Sequence, residues 1–175
     1  MPTFRAKTIQ GVTYRLDHLE PFTFTLATEA GPRVVAVAFS CHCFTEDLTA
    51  AHTPDLRYVH GHETRAFAFD RHELSKLLPQ IITTLGTRSV YMSMAANFFV
   101  LRSNPAAGFA GPYLIFFNVT KSTTKGVHVL MNVESAYMKP GMADRASPVK
   151  FTTLIEKTSA GQPVPRGPSQ TIKRK

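Results

Sequence analysis

RNA can be cleaved without a metal when one side chain takes the 2′-hydroxyl proton, another protonates the leaving oxygen, and a cation sits on the phosphate. The run VHVLMNVES carries an imidazole and a carboxylate, His128 and Glu134, on one face of a single strand. Six residues at ~3.3 Å each put them ~20 Å apart, too far to serve one phosphate. A simple meander register, with Ser103 opposite Tyr113 and Tyr113 opposite Ser135, offers a better set. It lines up Arg102, Leu114 and Glu134, and places Arg102 and Glu134 ~10 Å apart between backbones. Glu134 is then the base and Arg102 the phosphate cation, with Tyr137 and Lys150 arriving at the same edge to bind substrate. The plainer alternative for Arg102 with Glu134 is an ordinary cross-strand ion pair. Lys121, Lys125 and His128 at the hairpin turn suit a nucleic-acid backbone, or are simply solvated.

A second set of chemically able residues is Cys41-His42-Cys43, followed by His52, His60 and His62. Zinc takes four N or S ligands in a tetrahedron, and His60 with His62 on one strand face would supply two. The spacing lacks the repeated Cys-x2-4-Cys knuckle of zinc modules. Cys41 and Cys43 also fall on the apolar side of a strand with Val35, Val37 and Phe39, where free Cys behaves as a small hydrophobe. No metal is therefore assigned on the main reading. Gly61 between two histidines leaves room for a ligand to approach the backbone, and either histidine is a candidate general acid. His60 and His62 accordingly join Glu134 and Arg102 as candidate catalytic residues, set against the alternative that they lie on an exposed edge strand.

The elements that must position these residues centre on 111–139, GPYLIFFNVTKSTTKGVHVLMNVESAYMK. Residues 113–121 and 127–137 are β-branched and aromatic runs joined by Ser-Thr-Thr-Lys-Gly, the pattern of a long hairpin. Tyr113, Ile115, Phe117 and Val119, with Val127, Val129, Met131 and Val133, alternate onto a core face. The other face mixes Leu114, Phe116 and Leu130 with Asn118, Thr120, His128, Asn132 and Glu134, a polar set on a surface apolar enough to be covered.

Before this hairpin, residues 8–16, 22–28, 33–44 and 56–69 read as strands, with Gly31-Pro32 as a turn. Asp70 with Glu73 reads as a capping box opening a helix whose apolar stripe is Leu74, Leu77, Leu78, Ile81, Ile82 and Leu85. Gly86 stops it, and Pro79 predicts a kink or two short helices. Residues 89–94 are of uncertain type, 97–103 and 149–158 read as strands, and 160–175 as a flexible basic tail. The fold expected is α+β, mostly antiparallel: a kinked amphipathic helix on a four-stranded meander (70–159), with an N-terminal β unit (1–69) that extends or covers it.

Composition narrows the function classes. The 175 residues include thirteen Phe and are 43% hydrophobic, which suits a packed domain. A net charge of +8 favours a polyanionic partner, because clustered Lys and Arg release counterions from phosphates. The absence of any apolar run near the ~20 residues of a membrane span, and of an apolar signal segment, predicts a soluble cytoplasmic protein with no membrane partner. Two Cys separated by one residue do not easily meet disulfide geometry, in keeping with a reducing compartment. There is no Gly-rich phosphate loop, nucleophile elbow or dinucleotide fingerprint, and no cofactor is expected.

One helix followed by an antiparallel meander, ending in Val133-Glu134-Ser135-Ala136-Tyr137 in a small basic chain, resembles the barnase/RelE-like (BECR) ribonuclease superfamily over residues 70–158. The resemblance implies a metal-independent, RNA-directed nuclease or nuclease-like toxin; it carries over no residue by motif. The alternatives are a non-enzymatic basic module for nucleic acid or an acidic protein partner, and a zinc-binding protein using the Cys/His cluster.

Overall fold

The computed structural model describes residues 2–92, 98–103, 112–138 and 148–164. The expected loops at 104–112 and 139–148 and the end of the basic tail lie outside these, apart from Pro112 and Pro148, which open strands. The fold is α+β and mostly antiparallel.

The chain begins with a small hairpin, β1 (Lys7–Ile9) and β2 (Val12–Tyr14). Residues 8–16 are thus not one strand. Gln10 and Gly11, at φ 49° and 79°, turn the chain between them, the left-handed pair that a type I′ turn requires. A single 3-10 turn at Asp17–Leu19 leads into β3 (Phe22–Leu26) and β4 (Arg33–Phe39). The expected continuation of β4 through Cys43 is replaced by a second 3-10 turn, Cys41–Cys43, capped by Ser40, whose side chain accepts from the His42 N–H. Then come β5 (Thr45–Glu46), β6 (Arg57–His60) and β7 (Glu63–Phe67). Gly61, at φ 57°, occupies the first corner of the β6–β7 turn, as in type II′ hairpins. His60 and His62 therefore belong to a strand end and a turn, not to one strand face.

Pro79 divides the apolar stripe into α1 (Phe69–Ser75) and α2 (Leu78–Thr83) and sits in the first turn of the second, where its missing N–H costs nothing. The capping box does not form: the N-cap is Ala68, without a side-chain cap, and Glu73 binds Lys76 at 2.7 Å. After β8 (Ser89–Met92), β9 (Phe98–Ser103), β10 (Pro112–Lys121), β11 (Val129–Met138) and β12 (Pro148–Lys150), the chain ends in α3 (Phe151–Ala160). Residues 149–158 are thus mainly helix, and the fourth strand of the meander is β8.

Among the described residues the main sheet runs β12-β8-β9-β10-β11-β4-β3. β4 lies parallel to β11, pairing Val35 with Val129 and Phe39 with Val133, so the N-terminal segment extends the sheet. β5, β7 and β6 form a separate small sheet. α3 packs across β10, β11 and β4, and Phe151 meets Phe117 edge to face at 6.2 Å. The expected core face is buried: Tyr113, Ile115, Phe117, Val129, Met131 and Val133 are all nearly inaccessible.

Two polar groups in this interior lead to stability predictions. Tyr113 is fully buried, and its hydroxyl has no hydrogen-bond partner among the described residues; burial pushes the phenol well above its ordinary range. Tyr113→Phe removes that orphan and is expected to raise stability by ~1 kcal/mol in urea unfolding; a loss of stability would show that the hydroxyl is satisfied.

His18, half-buried, brings Nε2 to 2.7 Å from Ser75 Oγ, whose own proton goes to the His72 carbonyl. Burial, then His72 and Lys76, depress the His18 pKa from 6.5 to about 4, against weaker opposition from Asp17 and Glu73. Between those values the unfolded chain holds the extra proton, so stability is full above pH 6.5 and falls as the pH drops through about 4. With allowance for solvent screening the loss is ~1–2 kcal/mol. His18→Gln should flatten that part of the stability–pH curve; an unchanged slope would assign it to other groups.

Candidate functional site

The hairpin β10–β11 is closed by Ser122 N–H donating to the His128 carbonyl, with Gly126 at φ 82° in the turn. This closure sets Asn118 opposite Asn132 and Phe117 opposite Val133; a bulge at Glu134 then makes Ser135 the partner of Phe116 and Met138 that of Tyr113. A bulge bends the strand and interrupts its pairing, and here Glu134 falls on the polar face, away from the buried Val133 and Ala136. Asn118 Nδ2 donates to Glu134 Oε1 at 2.7 Å, and Glu134 is half-buried.

Farther along the same face Phe116 and Tyr137 stack at 5.5 Å between centroids. The guanidinium of Arg71, from α1, lies 5.0 Å over the Tyr137 ring. Arg71 Nη1 donates to the carbonyls of Thr45 at 2.7 Å and His42 at 3.3 Å, which fixes the fork from two directions. Cation–π contact and two backbone acceptors make this arginine pre-organised. Among the described residues its Nη2 and Nε have no hydrogen-bond partner. Glu134 and Tyr137 are three residues apart, ~10 Å at strand rise, so a held carboxylate and a held guanidinium flank one half-buried surface.

Beside it, the Cys41–Cys43 turn packs on β11, tied by Ser40 N–H to the Val133 carbonyl at 2.9 Å. Cys41 Sγ donates to Glu63 Oε2 at 3.1 Å, and His42 Nε2 lies 3.1 Å from Glu63 Oε1. Burial, with the Glu63 bond, raises the Cys41 thiol to about 11, and burial raises the Cys43 thiol to about 12. The bond from Cys41, then that from His42, lowers the Glu63 carboxyl. Neither thiol is a nucleophile at neutral pH in this state.

The expected residues separate into those this surface gathers and those it does not. Glu134 and Tyr137 are on it. Arg102 pairs with Tyr113, and Phe116 and Phe117, which flank the bulge, pair with Phe99 and Phe98. Arg102 is thus three to four residues from the row of Glu134, not beside it, and its side chain lies outside the described residues. Lys150 is on β12, four strands from β11, so it does not share an edge with Tyr137. Lys121 and Lys125 are exposed at the hairpin end. His128 is also there, but its Nδ1 accepts from Val34 N–H at 2.9 Å, which serves the β4 pairing.

His60 meets Phe4 at a tilt, 4.9 Å between ring centroids, and His62 is exposed in its turn. His52 binds Glu46 and Thr49, and Cys43 is directed at the Val133 carbonyl. The six-residue Cys/His cluster therefore does not assemble: of its members only Cys41 and His42 come together, and Glu63 joins them. Sequence reasoning missed Arg71 and Glu63. Arg71 carries no local signal, because its partners are backbone carbonyls and a ring distant in sequence.

The family model described as the YjaZ family matches residues 6–159, so the chain belongs to that family. No curated protein and no solved structure matches it.

Proposed function

We propose that this YjaZ-family protein is an RNA-directed nuclease, or nuclease-like toxin, that needs no metal for cleavage. The observation that carries the reading is the Asn118-held carboxylate of Glu134 on the same half-buried face as Tyr137, three residues along the strand, with the Arg71 guanidinium fixed over that ring. Glu134 takes the 2′-hydroxyl proton, the freed oxygen attacks the adjacent phosphorus, and the bond to the 5′-oxygen breaks, with water returning a proton to it. Arg71 neutralises the phosphate as charge builds. Tyr137 and Phe116 position Arg71. The net charge of +8 and the exposed Lys121 and Lys125 supply attraction for the polyanion. The order of elements, α1 and α2 followed by the antiparallel β8–β11, supports kinship with the barnase/RelE-like ribonucleases. No helix among the described residues is long and apolar enough to cross a membrane. Two free thiols accord with a cytoplasmic setting.

The test is incubation of the purified chain with labelled single-stranded RNA and DNA, with and without EDTA. RNA cleavage that survives EDTA, with DNA intact for want of a 2′-hydroxyl, supports the reading. Binding without cleavage overturns it in favour of a basic module for nucleic acid; no binding turns attention to an acidic protein partner.

A further inference from the structure

We infer that Cys41, His42 and Glu63 form a binding site for a divalent ion of the zinc class. The inference does not rest on the nuclease reading. The three ligand atoms, Cys41 Sγ, His42 Nε2 and a Glu63 carboxylate oxygen, lie within 4.8 Å of one another. Two edges of that triangle, from Glu63 Oε2 to the sulfur and to the imidazole, are 3.1 and 3.2 Å. With zinc bonds of ~2.3 Å to sulfur and ~2.0–2.2 Å to nitrogen and oxygen, the edges of a tetrahedron are ~3.3–3.6 Å. The ligands therefore need to move by only a fraction of an ångström on two edges. Thiolate, imidazole and carboxylate together match zinc's borderline softness and suit neither magnesium nor calcium. Three protein ligands leave the fourth position to water.

The surroundings fix these ligands. Ser40 caps the turn that presents Cys41 and His42, and Thr45 Oγ1 donates to the Cys41 carbonyl at 2.7 Å. Glu63 opens β7, which pairs with β5 just after that turn. The nearby cation, Arg65, is engaged by Asp47 at 2.9 Å and Thr45 at 2.8 Å. Cys41 is buried while Glu63 is exposed, so the site has a closed floor and an open side for ion entry. In the metal-free state the thiol proton and an imidazole proton occupy these contacts. Ion binding releases the thiol proton, and any proton on His42 Nε2, to solvent. The ion would clamp the turn whose His42 carbonyl holds Arg71 to the β6–β7 hairpin.

The experiment is titration of the full chain, stripped of metal, with cobalt(II) as a spectroscopic stand-in and then with competing zinc. One equivalent should bind, with tetrahedral visible bands and a thiolate-to-cobalt charge-transfer band that zinc abolishes. Cys41→Ser should remove the charge-transfer band, and Cys43→Ser should keep it. Because Glu63 is exposed, Glu63→Gln will fold even if Cys41→Ser does not. As a ligand change it should weaken binding by at least the ~10–100-fold known for outer-shell losses. A charge-transfer band that persists in Cys41→Ser, unchanged affinity in Glu63→Gln, or no stoichiometric binding overturns the site. RNA cleavage is read separately, with and without zinc, so failure of one proposal leaves the other standing.

Discussion

Glu134→Gln is expected to lower RNA cleavage by ~10²–10⁴-fold, the contribution of a positioned general base, or ~3–5 kcal/mol of transition-state stabilisation. The substitution is nearly isosteric. Its amide oxygen can still accept the hydrogen bond that Asn118 Nδ2 gives to Oε1, so the bulge keeps its shape and the protein its stability. What is lost is the ability to take a proton. The effect should therefore fall on kcat, with KM held or slightly lowered, because removing one negative charge from the face that Arg71 borders favours a phosphate ligand. Steady-state kinetics on a single-stranded RNA, with unfolding curves for both proteins, make the measurement. Cleavage within a few-fold of the parent protein would remove Glu134 from the reaction, and with it the reading that the polar face of β10–β11 is an active site.

That face was legible because strand alternation is a local property. Phe116, Asn118, Asn132 and Glu134 fall opposite the buried Ile115, Phe117, Met131 and Val133 whatever the pairing. Register is different, since it depends on how the turn closes. The Ser122-to-His128 bond and the bulge at Glu134 together shift the partner of Tyr113 from Ser135 to Met138. Arg102 is lost from the site by that shift, and Arg71 enters from a helix more than sixty residues upstream of Tyr137. The histidines failed for a similar reason. Gly61 signals room for a ligand in a strand and a corner in a hairpin, and only the pairing of β6 with β7 decides between them. Cys41 and Cys43 continued the apolar alternation of β4, but the Ser40 cap and the parallel pairing with β11 end the strand at Phe39. The cap is local, Ser40 to His42, but the pairing joins residues more than ninety apart in the sequence.

The C-terminal segment tests the same distinction energetically. As a strand, 149–158 would set Phe151, Thr153 and Ile155 on one side and Leu154 on the other. As a helix it buries Phe151, Leu154 and Ile155, at i, i+3 and i+4, while Thr152 and Thr153 remain partly exposed. The run of threonines favours the first pattern by propensity. Burial of the other stripe against β10, β11 and β4 outweighs it, and Gly161 closes the helix at φ 69° with its N–H donating to the Thr158 carbonyl. Phe151 is completely buried and packs its ring on Phe117. Phe151→Ala should therefore cost ~3–5 kcal/mol, the range for a large aromatic lost from a well-packed core. That is about a fifth or more of the stability of an ordinary domain. Leu154→Ala should cost ~2–5 kcal/mol, and Thr153→Ala less than ~1 kcal/mol. Urea unfolding of the three variants decides the matter. A large loss at Thr153 with a small one at Leu154 would restore the strand and uncouple residues 151–160 from the sheet that carries Glu134.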